Sequence, residues 1–177
     1  MQPNTFLQVL HGWQGFYTLL GGASATLTGL MFVAASLGAR LINEDSGPKV
    51  RTFITPPVIY FSFVLLISAL MNVPNQTPAA LVAQLAAVGL AGAAYSLSHL
   101  RRLRVFQQEG EMPRQAWLWN LAQPLHGSLW LLGAALGLHR SVVGALDAAA
   151  VGVLLLILVG IHNAWDVTLY LARRTPS

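Results

Sequence analysis

The chain of 177 residues has no cysteine. This excludes disulfides, thiolate metal sites and cysteine nucleophiles. Charge is also scarce. Only 9% of residues are Asp, Glu, Lys or Arg, while 55% are hydrophobic. An ordinary soluble domain carries about 25% charged residues, so this chain lacks the charge to cover a surface in water. A mean hydropathy of +0.58 points to lipid as the solvent. Catalytic signatures are missing too. There is no phosphate-binding glycine loop, no Gly-x-Ser-x-Gly and no His-Glu-x-x-His. The chain is not expected to be an enzyme, because no polar stretch is long enough to hold a catalytic domain.

What charge there is carries a net +4. A basic balance can mark a nucleic-acid binder, but these cations sit at the ends of apolar runs, where the positive-inside rule places them. The bilayer is therefore the expected partner, and nucleic acid is not. No charged residue precedes Arg40, and none lies between Thr52 and Leu100 or between Gln115 and His139. After Arg140 only Asp147 and Asp166 interrupt the apolar run before Arg173. A span needs about 20 apolar residues. The run from Thr52 to Leu100 is too long for one span, and the turn-rich string Asn72-Val-Pro-Asn-Gln-Thr-Pro78 divides it.

These gaps predict an all-α integral membrane protein, a five-transmembrane-helix bundle forming a single domain over residues 1–177. The predicted helices run over about 13–39, 55–71, 78–100, 115–138 and 147–172. Thr5 to Leu10 read as a separate interfacial segment. No cleaved signal peptide is expected, since the apolar stretch is long and no positive charge precedes it. Thr55-Pro56 and Thr77-Pro78 each read as an N-cap followed by proline at the first helical position. With five spans, nine of the ten basic residues fall on one side: Arg40, Lys49, Arg51, Arg101, Arg102, Arg104, Arg114, Arg173 and Arg174. Arg140 is the exception. The expected orientation has the N-terminus outside and the C-terminus cytoplasmic.

Gly21, Ala25 and Gly29 recur every four residues, and Gly22 with Thr26 forms a parallel row. Small residues at this spacing let two helix backbones approach closely in lipid. The row is read as a packing surface, within the subunit or between subunits. Gly89, Gly92, Ala93 and Ala94 repeat the idea in the third helix.

The string Gly12-Trp-Gln-Gly-Phe-Tyr17, followed by Gly21-Gly-Ala-Ser-Ala-Thr-Leu-Thr-Gly29 and Leu30 to Leu37, resembles the opening of a group of small uncharacterised bacterial inner-membrane proteins. Some of them carry the label "modulator of FtsH protease". Asn163-Ala-Trp165 resembles a second recurrent motif of the group. The resemblance implies the bacterial inner (cytoplasmic) membrane and a multi-pass chain. It implies no catalytic residues. Asp166, directly after the tryptophan, departs from the apolar continuation expected there.

One polar seam interrupts the spans. Trp119, Gln123, His126, Trp130 and Gly133 share a face of the fourth helix, with Asn120 beside it. His162 and Asp166 share a face of the fifth, flanked by Asn163 and Trp165. His126 falls near midplane, and His162 is placed at a similar depth. Asp166 is placed to pair with Arg173 or Tyr170. Ionisable groups inside a span face protein or water and mark candidate sites. Three readings stay open: hydrogen bonds that tie the helices together, an oligomeric channel for ions or small solutes lined by the seam, and a haem or metal site held by His126 and His162. The leading expectation is a non-enzymatic membrane subunit that assembles with itself or with another membrane complex, with no resident cofactor.

Overall fold

A computed structural model describes residues 3–38, 47–108, 118–142 and 144–172. Five α-helices account for nearly all of them, and no strand occurs among the described residues. They are α1 (Pro3–Gly38), α2 (Gly47–Met71), α3 (Pro78–Gln108), α4 (Gln123–His139) and α5 (Ala145–Ala172). A π-helical turn, Leu118–Ala122, leads directly into α4. Three helical stretches are long and apolar enough to cross a membrane: Phe6–Leu37, Pro78–Ser98 and Ala145–Leu169. Thr55–Met71 forms a shorter apolar helix.

Two expectations about helix starts are corrected. Thr5 to Leu10 are not a separate segment, because α1 runs through them unbroken from Pro3. Thr55-Pro56 does not start α2, which begins at Gly47 and contains Pro56 and Pro57. A proline inside a helix lacks the N–H that would bond four residues back. Such a loss is tolerated where neighbouring groups cover the freed carbonyls, and both proline rings are buried. The second cap forms as expected: Thr77 Oγ1 accepts from the Ala80 N–H at 3.2 Å. Asp147 lies in the first turn of α5, where a carboxylate suits the helix dipole. Arg40, Arg114, Arg173 and Arg174 lie outside the described residues.

The 72–77 turn is held by its own side chains. Gln76 is buried, and its Nε2 donates to Leu70 O at 3.0 Å and to Gln84 Oε1 at 2.6 Å. Asn72 Nδ2 donates to Ser68 O, and Thr18 Oγ1 donates to Asn72 Oδ1. The last bond ties α1 to the turn. Asn75 takes a positive φ of 53°, a conformation asparagine tolerates.

The helices are not ordered in space as they are in sequence. The main contacts run α1–α2–α5–α4–α3, with only light contact between α2 and α3. Each main contact is built on a glycine. A Cβ on Gly21 of α1 would lie 3.0 Å from Ser68 Cβ of α2. On Gly160 of α5 it would meet the Phe61 ring of α2 at 2.5 Å. Gly127 of α4 lies against Gly152 and Leu156 of α5. Gly89 and Gly92 of α3 face Leu132 and Ser128 of α4. The missing side chains let backbones approach, which is how helices associate where no hydrophobic effect drives them together. Around these crossings lies a core of Phe6, Tyr17, Tyr60, Phe61, Ile67, Leu85, Leu131 and Leu156.

Candidate functional site

The contacts between α4 and α5 set the depth of each seam residue. Gly137 lies beside Ala145, Gly127 beside Gly152 and Leu156, and Trp119 beside His162. The two helices are therefore antiparallel, as the short connection between them implies. In this register His126 stands opposite the region of Leu155. His162 lies seven residues further along α5, roughly 10 Å at 1.5 Å per residue. The expected depth match between the two histidines is not found. Depth counted from the helix ends misses the stagger that the Gly127–Gly152 crossing imposes.

His162 instead finds Trp119. Their rings stack with centroids 4.0 Å apart and planes 21° from parallel. Asp166, one turn along α5, places Oδ2 3.6 Å from His162 Nε2. At that distance the two form an ion pair only when the imidazole is protonated; the expected partners of Asp166, Arg173 and the Tyr170 side chain, lie outside the described residues. Trp119 belongs to the π-helical turn, whose wider winding changes the direction of side chains relative to an α-helix, a feature common at functional sites. Aromatic ring, imidazole and carboxylate form a three-part cluster, half open to the surroundings, with Asp166 and Trp165 exposed. Leu121 in the same turn is buried, and Asn120 and Gln123 are half-buried.

Asn163 is buried at 5% exposure, and its Nδ2 has no hydrogen-bond partner among the described residues. Among the described residues three buried hydroxyls share that condition: Tyr17 and Ser24 on α1 and Ser68 on α2. Tyr17, which its place near the outer end of the first predicted span leads one to expect at the membrane interface, is fully buried, and a Ser inside an apolar run leaves no spacing signal. Tyr60 meets Tyr95 edge-on at 6.0 Å.

His126 points out of the bundle. Trp130 Nε1 donates to His126 Nε2 at 3.1 Å within the same helix. The pair lines a shallow groove of about 440 Å³ with Leu129, Gly133 and Ala148. The structure therefore divides the seam in two. His162, Asp166 and Trp119 gather at one level between α4 and α5. His126 and Trp130 lie on an outer face of α4. Among the described residues no three His, Asp or Glu side chains come together as a metal site would require.

The small-residue row of α1 divides as well. Gly21 faces α2, whereas Gly22, Ala25, Thr26 and Gly29 are exposed. A Cβ on Gly22 or Gly29 would meet nothing within 4 Å. Thr26 Oγ1 donates to Gly22 O, so its hydroxyl is satisfied within the helix.

Two further hollows lie outside the seam. A cleft of about 300 Å³ opens between the start of α1 and the 72–77 turn, lined by His11, Gln14, Asn72 and Asn75. An apolar groove of about 230 Å³ runs between α1 and α5 over Phe61. Comparison with known families, with curated proteins and with solved structures returns no match for this chain.

Proposed function

We propose that this chain is a five-span subunit of the bacterial inner membrane that works by assembling with itself or with another membrane complex, and that it performs no catalysis. The observation that carries the reading is the outward row of α1. Only 17% of its apolar window is buried within the subunit, against 56% for α5. The outward face offers Gly22, Ala25, Thr26 and Gly29 with open space above the glycines. A helix that needed only lipid contact has no use for small residues at this spacing; a helix that receives another backbone does. The basic residues support an outside N-terminus and a cytoplasmic C-terminus. The bacterial inner membrane rests on the resemblance over residues 12–37 and 163–165.

A channel or a haem site along the seam finds less support, because each needs His126 and His162 on one path. Native mass spectrometry from lipid nanodiscs tests the assembly reading. Wild-type protein is expected to give an oligomer or a complex. Changing Gly22, Ala25 and Gly29 to leucine is expected to release the monomer without unfolding it. A wild-type chain that is monomeric and unpartnered in native membranes would overturn the proposal.

A further inference from the structure

A serine or threonine inside a helix has a ready partner for its hydroxyl, the carbonyl four residues back. Seven such residues in the described helices take it. Among them are the buried Ser96 and Ser128, which donate to Gly92 O and Pro124 O at 2.9 Å. Ser24 of α1 and Ser68 of α2 do not. Their hydroxyls have no partner among the described residues, although the two residues are only 0% and 3% exposed. An unmet hydroxyl inside the protein is costly whatever surrounds the protein, because the cost comes from losing water.

The two serines belong to one crossing. Ser68 packs on Gly21, where a Cβ would lie 3.5 Å from its Oγ. Ser24 is three residues further along α1, and residues at that spacing share a face about 5–6 Å apart. The hydroxyls do not bond each other, and polar groups at such separations are commonly joined through water. The crossing is also deep. Phe6–Leu37 is long and apolar enough to cross a membrane, and Ser24 lies roughly 27 Å from one end of it and 20 Å from the other.

The chemistry of the crossing selects its ligand. Neither α1 nor α2 contains an Asp or Glu, so a cation would find no counter-charge there. An apolar group cannot answer a hydroxyl. Water donates and accepts, as each hydroxyl does, and buried water characteristically joins polar groups that the protein leaves unmet. An opening lies close by. Asn72 lines the cleft between the start of α1 and the 72–77 turn, and its Nδ2 donates to Ser68 O at 2.8 Å. The cleft therefore reaches to within one helical turn of Ser68.

We propose that the α1–α2 crossing at Gly21 is an internal hydration site, in which ordered water bonds to the Ser24 and Ser68 hydroxyls and joins the two helices. The site lies within one subunit and does not depend on assembly.

Water-edited solid-state NMR of the full-length protein in liposomes, with isotope-labelled serine, reads the site directly. It follows magnetisation from water protons to each serine Cβ, with the signals assigned by sequential correlation. Ser96 and Ser128 are the controls, since they are buried to the same degree and satisfied by their own helices. Ser24 and Ser68 are expected to receive magnetisation at mixing times that leave Ser96 and Ser128 dark. Ser68→Ala removes one oxygen and is expected to weaken the transfer to Ser24, and Ser24→Ala to weaken the transfer to Ser68. Build-up at Ser24 and Ser68 no faster than at the controls overturns the site. Transfer to only one of the two, or transfer to each that survives loss of the other, overturns a water shared between the helices. The wild-type comparison needs no substitution, so it decides the site even where a variant fails to fold.

Discussion

Two residues of α5, adjacent in sequence, have opposite surroundings. His162 is stacked on Trp119 with Asp166 beside it, whereas Asn163 is buried with an Nδ2 unmet among the described residues. An aromatic stack contributes about 0.5–1.5 kcal/mol beyond its buried area. His162→Ala is therefore expected to lower stability by about 1 kcal/mol, and His162→Phe to keep most of it, measured by unfolding in mixed SDS micelles. The opposite sign is expected for Asn163→Leu. A buried polar group without a partner forfeits about 1–3 kcal/mol of hydration, so this variant is expected to unfold later than wild type. Loss of stability would mean that Asn163 ties helices together, which was the structural reading of the seam. The sequence marked these residues as polar within a span, and that much was legible. Which ring His162 meets was not, because the partner depends on the stagger of α4 against α5 and on a π-helical turn that spacing rules do not foresee.

Among elements, the glycines sort into two kinds that sequence spacing cannot separate. Gly21 and Gly22 are neighbours in one small-residue string, yet a Cβ on the first would meet Ser68 and one on the second would meet nothing within 4 Å among the described residues. The string predicted a packing surface; of its row only Gly21 faces α2, and Gly22, Ala25, Thr26 and Gly29 are outward. Gly160 has no such string around it, and it receives the ring of Phe61. Gly160→Ala is expected to cost about 1–3 kcal/mol, because the buried ring must shift in a close-packed site. Gly22→Ala meets no such obstacle and is not expected to lower the unfolding midpoint. The two midpoints measured side by side check the division. Helix starts were legible where a hydroxyl cap stands free, as at Thr77. At Thr55 the same dipeptide misled, since the helix already runs through it from Gly47.

At the scale of the molecule, charge-free runs foretold five helices because long apolar stretches in lipid have little choice but to be helical. Their spatial order was not legible. Nothing in the runs says that α5 stands between α2 and α4, because that placement comes from shape at Gly152 and Gly160 and not from hydropathy. The order makes α5 the element that joins α1 and α2 to α3 and α4. A chain ended after Gly144 is expected to lose protease resistance throughout its remaining helices, whereas removing residues 173–177 is expected to leave it intact. Limited proteolysis of membrane vesicles distinguishes the two outcomes.

The late arrival of α5 also has a consequence in time. Phe61 is made 99 residues before Gly160, the residue that its ring rests on. At about 5–20 residues per second on the ribosome, that aromatic ring waits roughly 5–20 s for its seat. Until then α1 with α2 and α3 with α4 lack the helix that makes the main contacts between them. Translation of the last helix is the event that makes them one.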